Sequence, residues 1–553
     1  MKISGGECFV GILLGSTAAI IVAAATSTQV RAADAALKKA PPVQYVKVCD
    51  IYGAGFFQLP GTVFCAAFRG QLQVDTNFEA GKDAVFVQQD SKKNGNSYSV
   101  NVLPASSQDT SGWQVQAKPT FDLRTETTFG TLRTVIQPRF TFNLGIFQAG
   151  PGPGFEANKT PDCYRCYTQW AGFTVGIQAS YWKYLDQEGI QTFTVGEAES
   201  SLVFAYTYNW TKMTPGTPNP KGFAPYPDGL SSTISLEDPN KHTAKGEAGG
   251  NTLAGLAGLA VPGLALGGVE PIPGPFKLPD IVANFRYEAD APGTVSWQVA
   301  GHLHQISEVA NVGTNGIIPG CLNGGGPNCG VAFGPSAHAL GWAMLAGARW
   351  NLPMLPGTNR GALTLGNFLW LQANYGDGAI ESVGIGGITG NFSMGDNPGE
   401  QTGGLLRDDH DAIAVNNGTG GFFLEKEKAF SMNAELRMFL TDCTDPVKCW
   451  RVNLIGNYAE LTPGSITQNT DWAGGGLGKA VRKGFGGNIT WGASRWAGDI
   501  GLEVMWFGID QNLPCNNLGN AALSVCGTPT ALPNGIRKES SNVAYRLTFT
   551  KNY

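Results

Sequence analysis

The sequence predicts an all-β protein, a transmembrane antiparallel β-barrel, on three observations. Apolar and polar residues alternate with period two along much of the chain, the last strand ends on an aromatic residue, and beyond the N-terminus no apolar run is fit to span a membrane as a helix. In the last twelve residues Val543, Tyr545, Leu547, Phe549 and Tyr553 share one face, and Arg546, Thr548, Thr550 and Asn552 the other; only Lys551 breaks the pattern. The 553 residues are 42% hydrophobic and only 15% charged, with 76 glycines, a balance poor in charge for a soluble protein of this length.

The chain opens with Lys2, an apolar stretch over 9–25 and the small-residue end Val30-Arg31-Ala32, which reads as a secretory signal cut after Ala32 or nearby. A membrane anchor is the alternative, weakened by Gly15, Ser16 and Thr17 in the apolar core. Cys8 precedes that core, where no lipoprotein cleavage would place it. Residues 1–32 are therefore expected to be a signal peptide, 33–64 a periplasmic N-terminal segment and 65–553 the barrel. The first stretch carries Lys2 and Arg31 against Glu7, so its removal takes the net charge from −5 to −6, and nothing in this balance points to nucleic acid. The apolar run at 253–269 holds Pro262 and several glycines and reads as a loop insertion.

Strand by strand, the two faces stay distinct. Phe68, Leu72 and Val74 oppose Arg69, Gln71, Gln73 and Asp75 in the first strand, expected over 65–76. Trp113, Val115, Ala117, Phe121 and Leu123 oppose Gln114, Gln116, Lys118, Asp122, Arg124 and Glu126, in a strand too long for an ordinary soluble sheet. After a tight turn at Phe129-Gly130, Leu132, Ile136, Phe140 and Phe142 oppose Arg133, Gln137, Arg139 and Asn143. Further on, Ile281, Ala283, Phe285 and Tyr287 oppose Asn284, Arg286 and Glu288, while Val299 and Leu303 oppose Gln298, His302 and His304. Asn433, Glu435 and Arg437 oppose Ala434, Leu436 and Met438. A soluble sandwich would need a second layer over each apolar face, and no helical periodicity supplies one, whereas in a barrel lipid suffices.

Gly-, Pro-, Asn- and Ser-rich stretches at 145–161, 209–229, 311–335, 376–421 and 513–538 alternate with tight turns, the pattern of long loops at one barrel end and short turns at the other. Spread over sixteen strands, the chain after the signal gives about 33 residues per strand and connection, which suits strands of about 10 residues plus such loops.

Ten cysteines fall into five local pairs, Cys49 with Cys65, Cys163 with Cys166, Cys321 with Cys329, Cys443 with Cys449, and Cys515 with Cys526. In an exported chain this pattern points to disulfides that pin loops; for Cys163 and Cys166 zinc is the rival, but no second ligand pair lies close in sequence. No metal or cofactor is expected. The chain lacks the Gly-x-Ser-x-Gly elbow, the His-Glu-x-x-His motif and the phosphate-binding Gly-x-x-x-x-Gly-Lys-Ser/Thr, so no catalytic residues are assigned. His302 with His304, and Asp408-Asp409-His410-Asp411, could gather a cation, but lumen lining and a solvated loop are the simpler readings. A barrel enzyme or a surface adhesin acting through the long loops are the functional alternatives to a pore.

Familiar segments then appear. Residues 40–57, with Cys49-Asp50-Ile51-Tyr52-Gly53-Ala54-Gly55-Phe56-Phe57, followed by Leu59-Pro60-Gly61-Thr62 and Cys65, resemble the mature N-terminus of the alphaproteobacterial porins, the trimeric outer-membrane porins of Brucella and the rhizobia. Thr125-Glu126-Thr127-Thr128-Phe129-Gly130-Thr131-Leu132-Arg133, Trp170-Ala171-Gly172-Phe173-Thr174-Val175-Gly176, Leu278-Pro279-Asp280-Ile281-Val282-Ala283-Asn284, Gly341-Trp342-Ala343 and the stretch 369–376 are similar to the same family. An insertion at about 241–276, the extra cysteine pairs and the terminal Tyr553 depart from it.

The resemblance implies a sixteen-stranded homotrimeric channel in the outer membrane, among lipid and lipopolysaccharide, passing ions and small hydrophilic solutes. It also implies that the loop after the fifth strand folds into the lumen. With Ala171-Gly172 as the turn before that strand, the loop covers about 179–200 and carries Asp186, Glu188, Glu197 and Glu199 with Lys183 as its only base. Opposite it the first three strands would present Arg69, Lys118, Arg124, Arg133 and Arg139, setting a transverse field at a pore constriction.

Overall fold

The computed structural model describes residues 47–53, 55–79, 86–90, 99–103, 111–145, 158–184, 200–210, 229–239, 242, 270–273, 277–312, 332–361, 365–384, 411–416, 422–462, 464, 479–494, 498–513 and 536–552. Among them sixteen strands form one antiparallel ring. These are β1 (Cys65–Glu79), β2 (Ser111–Thr127), β3 (Gly130–Gly145), β4 (Asn158–Trp170), β5 (Phe173–Gln178), β6 (Ser201–Asn209), β7 (Gly229–Glu237) and β8 (Asp280–Glu288). The second half comprises β9 (Val295–Val312), β10 (Ala332–Asn351), β11 (Phe368–Asp377), β12 (Lys428–Phe439), β13 (Cys449–Thr462), β14 (Ala480–Ser494), β15 (Gly498–Leu513) and β16 (Ile536–Asn552). Each strand pairs with its sequence neighbours, and β16 returns to pair with β1, from Gln71 opposite Asn552 to Glu79 opposite Ala544. No edge of the ring is left for solvent or lipid to satisfy.

Why the strands run this way follows from their faces. Phe68, Phe121, Phe140, Phe204, Phe285, Val299, Leu371 and Leu547 point outward and stay exposed, as do Met344 at 62% and Phe485 at 63%. Their alternating partners Gln114, Asp122, Asn284, Gln298, Asn433, Glu435, Arg437 and Arg546 are buried inside. This is a soluble sheet turned inside out, and it matches a lipid-facing wall. At one end the outer surface carries an aromatic girdle of Trp170, Trp210, Trp350, Trp450 and Trp491, with Phe129 edge-on to Trp170 and Trp450 stacked on Trp491. Toward the other end lie Phe78, Trp113, Trp506 and the Trp342–Tyr375 pair.

The connections sort by end. At the first girdle, β2 passes to β3 through Thr128 and Phe129, β4 to β5 through Ala171 and Gly172, and β14 to β15 through three residues. Ala171 and Gly172 both adopt positive φ, 51° and 87°, as a two-residue hairpin turn matched to strand twist requires. The stretches 145–161, 311–335, 376–421 and 513–538 leave from the opposite, loop end as expected. The stretch 209–229 does not: β6 descends and β7 ascends, so this long connection belongs to the turn end. Its composition marks a loop but carries no information on which end it leaves. Within the 241–276 insertion, Glu270–Pro273 adds a short strand against the upper part of β9.

The N-terminal segment packs across the inside of β1 at the turn end. Phe57–Gln58 pairs with Cys65 and Ala66 along the stretch of β1 below its pairing with β16, and Cys49, Tyr52 and Phe56 cluster with Cys65 and Ala67. A Cys49–Cys65 disulfide closes this segment, and Cys163–Cys166 and Cys443–Cys449 are bridged as well. The pairs Cys321–Cys329 and Cys515–Cys526 lie outside the described residues.

Because the seam rests on nine register pairs between β1 and β16, deletion of residues 542–553 is expected to abolish the closed barrel. Recovery of a heat-modifiable, protease-resistant band from membranes at normal yield would contradict it.

Candidate functional site

The interior face of β1, β2 and β3 carries all five expected bases, but most of them are held in place. Asp122 accepts Nε and Nη2 of Arg124 at 3.0 and 2.7 Å, and Nε and Nη2 of Arg133 at 3.2 and 3.0 Å. Arg139 pairs with Asp162 at 2.7 Å. Aromatic faces take up the rest: Arg69 and Arg124 lie over Phe56, while Lys118, Arg139 and Arg165 surround the Tyr164 ring at 4.7, 4.9 and 3.9 Å. Arg165 on β4 thus joins the basic wall, a member the sequence reading missed because its strand was not assigned. The arginines are oriented by stacking on rings and by carboxylates on the same strand or the next one.

Across the ring, the described start of the loop after β5, residues 179–184, turns inward. Tyr181, Trp182 and Tyr184 are buried against a carpet of Val203, Ala205, Val282, Ala300, Ala343, Leu345 and Trp370 from the interior faces of β6 to β11. Each such large side chain contributes about 1.5–3 kcal/mol on burial. Polar groups fix the register. Asn284 donates to the Tyr181 carbonyl at 2.6 Å, Gln298 to the Trp182 carbonyl at 2.8 Å, and the Tyr181 amide to Glu237 at 3.0 Å. Burial pushes the Tyr181 phenol up to about 12, so it remains neutral and within hydrogen-bonding distance of Thr174 Oγ1, at 2.9 Å. Tyr184 sits over Gly347, where an added Cβ would come within 2.7 Å of its ring. Lys183 is buried in the same run. Asp186, Glu188, Glu197 and Glu199 lie outside the described residues.

A second inward segment follows β11. Ala379, Ile380, Ser382 and Val383 are buried; the Ile380 amide donates to Asp411, and the Trp182 indole to the Ser382 carbonyl at 2.8 Å. Burial, with Asp411 beside it, pushes the Glu381 carboxyl up to about 7.

Between the two inward segments lies a polar cluster. Asp280 bonds His302 Nε2 at 3.0 Å and His304 Nδ1 at 2.9 Å; Asp411 lies 3.5 Å from His304, Ser382 Oγ is 2.6 Å from His302 Nδ1, and Glu237 holds His242 Nε2 at 2.9 Å. The two strand histidines face inward as expected, but they do not line water: loop and segment cover them, leaving His302 and His304 1% and 0% exposed. Asp411 is the described member of the acidic run 408–411. Glu237, His242, Asp280 and Ser382 gave no local signal, since they meet only through strand pairing and two inward loops.

Residues 34–212 match the model of a porin subfamily. Over 234 residues, 41% of this chain, the sequence is 31% identical to porin Omp2b of Brucella suis, covering 51% of it, and 30% identical to porin Omp2b of Brucella canis, covering 53% of it. The match therefore spans about half the length of these relatives. The fold also superposes on the outer membrane channel DcaP of Acinetobacter baumannii at 9% identity with a TM-score of 0.45, over 88% of this chain and 97% of that one.

Since Gly347 makes room for Tyr184, Gly347→Val is expected to loosen the docked loop at a cost of about 1–3 kcal/mol. Limited proteolysis of the folded protein should then cleave within 179–200 faster than in the parent, and an unchanged cleavage rate would contradict the packing role.

Proposed function

We propose that this chain, whose residues 34–212 match the model of a porin subfamily, is a porin and forms a water-filled outer-membrane channel for passive diffusion of ions and small hydrophilic solutes. The observation that carries this is the closed ring with an apolar exterior between aromatic girdles and an interior lined by Gln, Asn, Asp and Arg. Such a wall can face lipid only outward and water or polar solute only inward. Residues 1–32 act as the export signal, 33–64 as the periplasmic N-terminal segment, and three copies assemble as the resemblance implies. Purified full-length protein added to a planar bilayer is expected to produce stepwise, salt-dependent conductance; absence of any conductance would favour a barrel enzyme or an adhesin instead.

Selectivity in this reading comes from the acidic loop, with Asp186, Glu188, Glu197 and Glu199, opposed to the basic wall of Arg69, Lys118, Arg124, Arg133 and Arg139. Lys183, buried at the root of the loop, contributes less. Replacing Arg124 and Arg133 together by Gln removes two positive charges and also leaves Asp122 without its partners. One unit charge about 7 Å from a permeating ion in water is worth about 0.6 kcal/mol, roughly threefold in permeability ratio. The double variant is therefore expected to shift the reversal potential towards cations, less so in molar salt, where the Debye length is about 3 Å. An unchanged reversal potential at low salt would place the selecting residues elsewhere.

A further inference from the structure

We propose that His242, Asp280 and His302 form a site for one divalent transition-metal ion, of the zinc, cobalt or nickel class, that staples the loops at the top of the β7–β9 wall. One ligand atom from each residue lies within 4.8 Å of the other two, and all three residues are buried. Bonds of about 2.1 Å to a tetrahedral ion set ligand atoms about 3.4 Å apart, so a small inward shift completes the contact. The His302 and Asp280 atoms already approach to 3.0 Å.

The surroundings are those of a ligand shell. Glu237 occupies Nε2 of His242, while Nδ1 of the same ring is buried without a hydrogen-bond partner among the described residues. A carboxylate on one imidazole nitrogen fixes the ring and raises the basicity of the other, the arrangement that supports metal-bound histidines. On His302 the Ser382 hydroxyl plays the corresponding part at Nδ1, leaving Nε2 toward Asp280. His304 Nδ1 lies 2.9 and 3.0 Å from the two Asp280 oxygens, and His304 is itself held near Asp411. Two imidazoles and one carboxylate suit zinc and its neighbours rather than calcium or magnesium, which take all-oxygen shells. Binding displaces any protons on the imidazoles.

The consequence is mechanical. His242 follows β7, Asp280 opens β8 and His302 belongs to β9, while Ser382 ties the second inward segment and Trp182 to the same cluster. An ion here would fasten the loop after β7 to the wall on which the inward loop rests.

The full chain is folded in detergent with Zn²⁺ or Co²⁺ present, dialysed, and analysed for metal content, absorption and heat stability. The expected result is one ion per chain, a tetrahedral Co²⁺ absorption band, and unfolding at a higher temperature than in chelator-treated protein. His242→Ala lies outside the strands and should lower affinity at least tenfold while the barrel still forms; His302→Gln should do the same, and His338→Ala, at an exposed histidine elsewhere, should change nothing. No stoichiometric ion, or binding that survives His242→Ala or is lost equally with His338→Ala, would overturn the site.

Discussion

Everything in this molecule depends on the pairing of its first strand with its last. Lipid offers no hydrogen bonds, so a sheet crossing a membrane must satisfy every backbone group within itself, and only a closed ring does so. The nine register pairs from Gln71 with Asn552 to Glu79 with Ala544 supply that closure, and Asp75 reinforces it through the Arg546 guanidinium at 3.2 Å and the Thr548 hydroxyl. Once the ring exists, the sorting of side chains follows: outward positions may be as apolar as Phe485, and inward positions may hold charge without facing hydrocarbon.

Two stretches of the interior wall differ in character. On β1 to β4 it is a lattice of guanidinium groups, carboxylates and aromatic faces, in which Arg124 and Arg133 share one acid and Tyr164 faces three cations. On β6 to β11 it is a hydrophobic carpet of small residues, Ala205, Ala300, Ala343 and Gly347, on which Tyr181, Trp182 and Tyr184 lie. Small side chains on one wall and large ones on the inward loop are two parts of a single packing solution. The start of the loop, Tyr181 to Tyr184, lies flat on the wall because the small residues beneath it leave room for aromatic rings.

Closure and the faces of the plainly alternating strands were legible in the chain, since period-two alternation is a local property and Phe121, Asp122, Leu123 and Arg124 declare their sides without reference to anything distant. The hairpin turn at Ala171-Gly172, and with it the start of the inward loop, came from the family resemblance and not from alternation. What alternation does not encode is the content of the lumen. Val282 and Ala300 face inward although apolar, because the loop covers them, and His302 and His304 are buried rather than wet for the same cause. The second inward segment at 379–384 has no pattern of its own; its place is set by contacts with Trp182, His302 and Asp411, residues far away in the sequence.

The stagger of the seam has a bearing on how the chain reaches its final form. Asn552 pairs with Gln71, so the part of β1 from Cys65 to Gly70 lies beyond the reach of β16, and the short strand Phe57–Gln58 takes its beginning instead. A chain emerging from its N-terminus presents β1 hundreds of residues before its partner exists, and an unpaired strand edge invites association with the wrong neighbour. With Cys49 bonded to Cys65, the peptide just upstream is held beside that edge. The short strand covers the first two residues of β1, a part of that edge outside the register it shares with β16.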